Sequence, residues 1–285
     1  MRVCALLVLC GCQIVFPLDG PGSTPDAPAA LDAADDGRHV DDAPPATGCA
    51  PVSFDGTQRA VMYGAETLQH FSVSRTETYV VFGTSGLPKW AIDSDPNQLG
   101  FESPSAIISG VSGSVDRVAL AADDAVLMVT ASFSTSIATP VTPPAAWRTD
   151  AALTIGKSHR AGRPMAGGVR VVVELGDGSF EEWARDGTMW LLEGQYTPAM
   201  LTGEASTLIE QASLSDDGLR LVYRVQGGNE PGIHVATRNN VDTSFVHAGR
   251  ILAQGQPASF APQLTSACQH LWVLENGALV RYAQP

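Results

Sequence analysis

The stretch LSDDGLRLVY at residues 214–223, followed after a short polar break by Ile233-His234-Val235-Ala236-Thr237-Arg238, decides how the chain is read. An apolar residue opens it, Ser215-Asp216-Asp217-Gly218 supplies the chemistry of a turn, and Leu221-Val222-Tyr223 closes it as a run of large apolar side chains. Asp, Ser and Gly tolerate tight or left-handed backbone, whereas consecutive branched and aromatic residues suit a strand. Gly227-Gly228 marks a second turn before the next strand-like run. Two strands joined by a Gly-rich turn make a hairpin.

The pattern recurs on both sides. Segments beginning at Val73 (VSRTETYVVF), Leu120 (LAADDAVLMV), Met165 (MAGGVRVVVE) and Leu264 (LTSACQHLWV) align with it over ten residues without gaps, the five starts lying 47, 45, 49 and 50 residues apart. Gly83-Thr84-Ser85-Gly86, Gly176-Asp177-Gly178 and Glu275-Asn276-Gly277 follow as turns, and Phe180 to Ala184 and Ala278 to Tyr282 as second strands. Short strands at a period near 40–50 residues with no amphipathic helix indicate an all-β chain folded as a β-propeller, one four-stranded blade per repeat. Five motifs predict five blades, with a sixth, degenerate blade left open. The chain stops soon after the second strand of its last hairpin, so the stretch around Val52 to Tyr63 is expected to supply the missing outer strand of the final blade.

The repeat resembles the TolB-type (WD-like) propeller repeat, which places a Ser-x-Asp-Gly turn between two strands and packs the following apolar pair against the next blade. The motif is complete at Ser215 to Gly218 and degraded to Thr76-Glu77, Asp123-Asp124 and Gly167-Gly168 in the first three repeats. The resemblance covers roughly residues 70–285 in pattern. It implies a propeller and, by fold alone, envelope partners.

The amino terminus carries an address. Arg2 precedes an apolar run from Val3 to Leu9, the layout of a secretory signal, and the run is too short for a bilayer span, which needs about 20 apolar residues. Leu9-Cys10-Gly11-Cys12 resembles the bacterial lipobox, with a leucine three residues before the cysteine and a small residue just before it. Cys10 fits less well, because Leu9 precedes it. The resemblance implies cleavage after Gly11 and lipidation of Cys12, so that residues 1–11 are signal peptide and the mature chain is exported and anchored at the bacterial cell envelope.

Residues 12–48 continue as Asp, Ala, Pro and Gly, a composition with too little apolar surface to offset the entropy of ordering. They read as a disordered acidic tether of net charge −6, against −8 on the propeller domain at residues 49–285 and −13 on the whole chain. A polyanion-binding domain carries the opposite sign on a clustered basic face, so nucleic acid is excluded as a partner. Of five cysteines, Cys49 and Cys268 fall outside the signal region. In an oxidising compartment they suggest one disulfide, unconnected buried thiols being the alternative. Such a bridge closes a loop of over two hundred residues, worth up to about 4–5 kcal/mol in the chain-entropy view.

Chemistry is harder to find. His-Glu-x-x-His, Gly-x-Ser-x-Gly, a phosphate loop and Cys-x-x-Cys are all missing from the sequence, so no catalytic residue, no cofactor and no metal is assigned. Asp93-Ser94-Asp95-Pro96-Asn97 has the first oxygen spacing of a calcium loop but lacks its glycine and bidentate glutamate, and reads as a solvated turn. Lys157-Ser158-His159-Arg160-Ala161-Gly162-Arg163 is one local basic patch, read as a solvated inter-blade loop, though paired guanidinium groups also suit a phosphate or anionic glycan. Trp90, Trp183 and Trp272 fall in predicted strands and are expected to pack between blades rather than stack on sugars. His70, His159, His234, His247 and His270 are scattered without ligand spacing, and Glu174, Glu181, Glu182, Asp186 and Glu193 cluster without a sign that they converge.

The expectation is therefore a monomeric, membrane-anchored envelope lipoprotein, not an enzyme, whose propeller binds or scaffolds an envelope protein or glycan. The alternatives are a glycan-cleaving propeller with two or three carboxylates at its centre and a purely structural protein with no ligand pocket. Cys12→Ala is expected to move the chain out of the membrane fraction and to abolish labelling by a fatty-acid analogue. A variant that still labels and still sediments with membranes contradicts the anchor.

Overall fold

The two consecutive or three consecutive apolar residues of each repeat are buried on both faces of a strand, which is why the sequence runs apolar there instead of alternating. In Arg170–Leu175, Val171 and Val173 enter one core while Val172 enters the next. Arg220–Gln226 behaves alike, with Leu221 and Tyr223 on one side and Val222 on the other. Each such strand is thus the shared wall of two cores. The computed structural model describes residues 54, 58–63, 68–83, 86–93, 100–101, 106–111, 114–253, 259–265 and 268–284. Cys12, the tether, Cys49 and the Ser94 to Asn97 part of the acidic turn lie outside them.

The strands in chain order are β1 (Gln58–Tyr63), β2 (His70–Val73), β3 (Tyr79–Gly83), β4 (Lys89–Ile92), β5 (Gly100–Phe101), β6 (Ala106–Ile107), β7 (Arg117–Leu120), β8 (Leu127–Ala131), β9 (Ser134–Thr142) and β10 (Ala146–Leu153). There follow β11 (His159–Ala161), β12 (Arg170–Leu175), β13 (Phe180–Asp186), β14 (Met189–Tyr196), the short helix α1 (Pro198–Thr202), β15 (Leu208–Leu214), β16 (Arg220–Gln226), β17 (Gly232–Thr237), β18 (Val246–Ala253), β19 (Ser259–Thr265), β20 (His270–Glu275) and β21 (Ala278–Ala283). They assemble as five blades, β2-β3-β4-β6, β7 to β10, β11 to β14, β15 to β18, and β19-β20-β21-β1. The protein is a five-bladed β-propeller, as the repeat count predicts.

The last blade is completed from the amino-terminal side. β1 pairs antiparallel with β21, Gln58 opposite Tyr282 and Val61 opposite Leu279, so residues from the expected stretch do supply the outer strand. The two-residue β5 then adds in parallel to β1 at Met62 and Tyr63. The chain between β4 and β6 of the first blade thereby visits the edge of the fifth. Cys268 is buried and disulfide-bonded; its expected partner lies outside the described residues.

The five turns between first and second strands keep one conformation although only two hold glycine. Glu77, Asp124, Gly168, Gly218 and Cys268 all have φ between 59° and 67°, the left-handed region that favours glycine. In the first four, the N–H of that residue bonds the carbonyl three residues back, Ser74, Ala121, Met165 and Ser215 respectively. By this criterion the third repeat begins at Pro164, one residue before the start chosen by sequence alignment, because Met165 takes the role of Ser215.

Glu77 also ties the first blade to the last. Its carboxylate accepts Thr265 Oγ1 at 2.5 Å, His270 Nδ1 at 2.7 Å, Arg281 Nη1 at 3.0 Å and Trp272 Nε1 at 3.2 Å. Burial alone would raise its pKa from 4.5, but the bonds from His270, Thr265 and Trp272 outweigh it and hold the group at about 2. The folded value being the lower one, this stabilisation is complete above pH 4.5 and is lost as pH falls from there towards 2. Glu77→Gln is expected to cost stability near the lower end of the ~3–5 kcal/mol seen when one partner of a buried pair is removed, because Arg281 keeps some solvent contact. Urea melts of wild type and Glu77→Gln from pH 7 downwards should differ by a constant amount until about pH 4.5 and then converge.

Candidate functional site

The first strand of every blade stands at the propeller axis, and the polar positions of these strands face one cavity of about 540 Å³, within the usual size of ligand sites, roughly 300–1,000 Å³. Its rim is formed where the strands begin, by Gln69 and His70, Asp116 and Arg117, Arg160, and Glu210 and Gln211. One layer deeper, Ser72, Ala119, Arg163, Ser213 and Gln263 occupy the residue just before the apolar start of each repeat. A single register position, repeated by the fold, thus produces a ring of side chains.

Hydrogen bonds between neighbouring blades fix this ring. Ser72 Oγ accepts the Leu120 N–H at 3.0 Å, and Thr130 Oγ1 accepts the Ala161 N–H at 3.2 Å. The Leu214 N–H bonds Arg163 O at 3.0 Å, Gln211 Oε1 accepts the Ala261 N–H at 2.6 Å, and Gln263 bonds both the N–H and the carbonyl of Val73, at 2.9 and 2.7 Å. All five junctions are bridged. Gln211 and Ala261 have φ of 56° and 49° and sit at the register shifts of β15 and β19. Bulges of this kind re-aim side chains and gather beside functional sites.

Glu174 organises the rim. It reaches from β12 into the cavity and accepts Arg117 Nη2 at 3.0 Å, Arg160 Nη1 at 3.3 Å and the Gln211 N–H at 2.9 Å, thereby joining three blades. Glu210 is held by Arg224 at 2.7 Å. Both carboxylates are committed to cations, which leaves neither as an unengaged acid or nucleophile.

His70 is buried against Gly83, where an added Cβ would fall 1.9 Å from the imidazole ring, so the glycine is needed for the histidine to seat. Burial, reinforced by Arg117, lowers the His70 pKa to about 4 despite the bond from Nε2 to Val115 O, and the ring is neutral at physiological pH. Arg163 at the inner layer is 3% exposed. Burial lowers its pKa while Asp216, 3.5 Å away, and Asp124 oppose the shift. Burial in turn raises Asp124 to about 6, against the bonds from the Arg75 N–H and the charge of Arg163.

The basic patch from Lys157 to Arg163 is therefore not a solvated loop. It contains β11, the axial strand of the third blade, and its cations are dispersed: Lys157 pairs with Glu181 at 2.5 Å, Arg160 lines the rim, and Arg163 is enclosed. Of the five acids grouped in sequence, Glu174 alone enters the cavity. Glu181 and Glu182 are buried in β13, Glu182 against Arg238 at 2.8 Å and the Tyr196 hydroxyl at 3.1 Å, while Asp186 and Glu193 are exposed. β13 and β14 are the third and fourth strands of the blade counted from the axis, which places those residues away from the cavity.

The three tryptophans do not share a surface. Trp272 is buried against Phe101 and donates to Glu77, Trp183 packs partly buried in the second-to-third blade core and donates to Glu181, and Trp90 packs at the first-to-second junction. His234 and His247 do meet, with ring centres 5.4 Å apart, beside the smaller cavity lined by Glu204 and Glu230. Among the described residues no group of three or more His, Cys, Asp or Glu is placed to hold a metal ion. His70, Arg117, Glu210 and Gln211 belong to no motif. The signal that could have found them is positional, a polar residue three or four places before the start of the first four repeats, the third counted from Pro164.

No protein-family model matches the chain, and no curated protein matches it in sequence. Among solved structures it is similar to the β-propeller domain of Cps50 (Swd1) from Myceliophteria thermophila, at 11% identity and TM-score 0.48 over 80% of this chain and 86% of that one. It is also similar to the gluconolactonase XC5397 of Xanthomonas campestris, at 13% identity and TM-score 0.46 over 75% and 71% of the two chains. The periplasmic gluconolactonase PpgL of Pseudomonas aeruginosa stands at 14% and 0.46 over 76% and 66%.

Proposed function

We propose that the chain is an envelope lipoprotein of the TolB-like kind, anchored through Cys12, whose propeller is a binding module that engages an envelope protein or glycan with the face on which the axial cavity opens. One observation carries the reading. The blades direct polar side chains to a single cavity, and two of the three carboxylates there, Glu174 and Glu210, are tied to arginines, while Asp116 on the rim accepts the Phe133 N–H. The acidic tether supports the reading too, since a flexible segment of that length gives a reach on the order of 30 Å from the membrane surface. Glu174, Glu210 and Asp116 lining one cavity is the observation that favours the glycan-cleaving alternative.

Photo-crosslinking in intact cells tests the reading. A crosslinking residue at Asp116, exposed on the rim, is expected to capture an envelope protein or polysaccharide, and one at Asp186, exposed on the outer part of the third blade, is not. Equal capture from both positions, or none from Asp116, contradicts it. Cleavage of an envelope polysaccharide that Glu210→Gln abolishes would replace it with the enzyme. The reading includes a Cys49–Cys268 bridge, and unreduced peptide mapping is expected to return both residues in one fragment.

A further inference from the structure

Buried polar atoms without a hydrogen-bond partner are uncommon in folded proteins, and each one asks for a water, ion or ligand. Among the described residues, four such atoms belong to residues that line the axial cavity: Nδ1 of His70, Nε and Nη2 of Arg163, and Oγ of Ser213. They come from the first, third and fourth blades. We infer that the axial cavity binds a small carboxylate bearing hydroxyl groups, seated on the Arg163 guanidinium.

The donors and acceptors set that class. Arg163 has committed Nη1 to the Leu264 carbonyl, which leaves the Nε and Nη2 edge of its planar fork, the geometry that matches the two oxygens of a carboxylate. Asp216 Oδ1, itself without a hydrogen-bond partner among the described residues, faces Nη2 at 3.5 Å as an ion-pair neighbour and lowers the cost of the buried charge, while Nε has no acceptor beside it. His70 gives its Nε2 to the Val115 carbonyl, so Nδ1 of the neutral ring is an acceptor and asks for a hydroxyl hydrogen. Ser213 Oγ takes either role. An anion with no hydroxyl group leaves His70 unsatisfied, and a neutral sugar offers Arg163 hydroxyl oxygens but no negative charge to match its fork. Arg117 and Arg160, already held by Glu174, add positive charge at the entrance of an otherwise acidic protein.

The inference deepens the proposed binding role and rests on it only in taking the axial cavity as a ligand site. Calorimetric titration of the full lipidated chain in detergent tests it, with galacturonate, galactose and sulfate as probes. Galacturonate is expected to bind, and galactose and sulfate at least roughly tenfold more weakly, galactose having no charge for Arg163 and sulfate no hydroxyl for His70. Arg163→Lys keeps the charge and loses the fork, and should weaken galacturonate by about tenfold or more. Ser213→Ala should weaken it about threefold to tenfold, as the loss of one hydrogen bond does, and carries the test if the Arg163 variant does not fold. No binding of galacturonate, sulfate binding as tightly as galacturonate, or unchanged affinity in folded Ser213→Ala overturns the inference. A failure here with successful crosslinking from Asp116 removes the hydroxy-carboxylate and leaves the envelope partner. The converse pair of results removes the partner and leaves the ligand.

Discussion

A ring of blades holds together only if its two ends are joined, and here the join is the antiparallel pairing of β1 with β21. Every blade packs one face against the blade before and one against the blade after, so the five apolar cores are all inter-blade cores. An unclosed ring would leave one core half built, with Trp272, Leu274 and Leu279 on one side and Val80 and Phe82 on the other facing water. Burying a large apolar side chain is worth roughly 1.5–3 kcal/mol, so that single junction is comparable with the whole net stability of a domain. Glu77, Gln263 and the β5 pairing all act across the same seam.

Closure also explains why there is a cavity. Five sheets packed face to face meet at the axis edge-on, where their first strands come near each other without pairing as a continuous ladder. Their backbone groups are satisfied instead by side chains, Ser72, Thr130, Gln211 and Gln263, from the neighbouring blade. Side chains that serve the backbone in this way must be polar, and three of the four, Ser72, Gln211 and Gln263, line the cavity. The polar lining is thus a by-product of closing the ring, while Arg163, His70 and Ser213 exceed what closure requires.

The sequence made the strands legible because burial on both faces writes an apolar run such as Val171-Val172-Val173, and it made the blade count legible because the turn after each first strand repeats. Three of the five left-handed turn positions hold Glu77, Asp124 and Cys268, so glycine was an incomplete marker of a conformation that all five keep. The same weakness displaced the third repeat by one residue, since Gly167-Gly168 offers two candidates for one position. That slip hid the site. In correct register Arg160 and Arg163 fall where Glu210 and Ser213 fall in the fourth blade, at the axis; in the displaced register the segment looks like a connecting loop. The bulges that turn Gln211 and Ala261 inwards leave no mark in composition at all.

Where strain sits distinguishes structure from function in this molecule. Four of the five left-handed residues of the blade turns are embedded in hydrogen-bonded turns, and the carboxylate of Asp124 is taken up by the Arg75 N–H of the neighbouring blade. Gln211 and Ala261 are also left-handed, yet they lie in strands, where a bulge interrupts the ladder and costs of order 1–3 kcal/mol per residue. The buried pair of Glu182 and Arg238, supported by the Tyr196 hydroxyl and the face of Phe245, leaves Arg238 Nη2 and Glu182 Oε1 without hydrogen-bond partners among the described residues, away from the axis, and Arg163, buried to the same degree, leaves Nε and Nη2 so at the cavity wall. Strand irregularity, an incompletely bonded arginine and a neutral histidine meet at one place on the axis. Stability alone favours an apolar side chain at Arg163 and a regular strand at Gln211, and the presence of both at the cavity wall is a departure that ring closure does not account for.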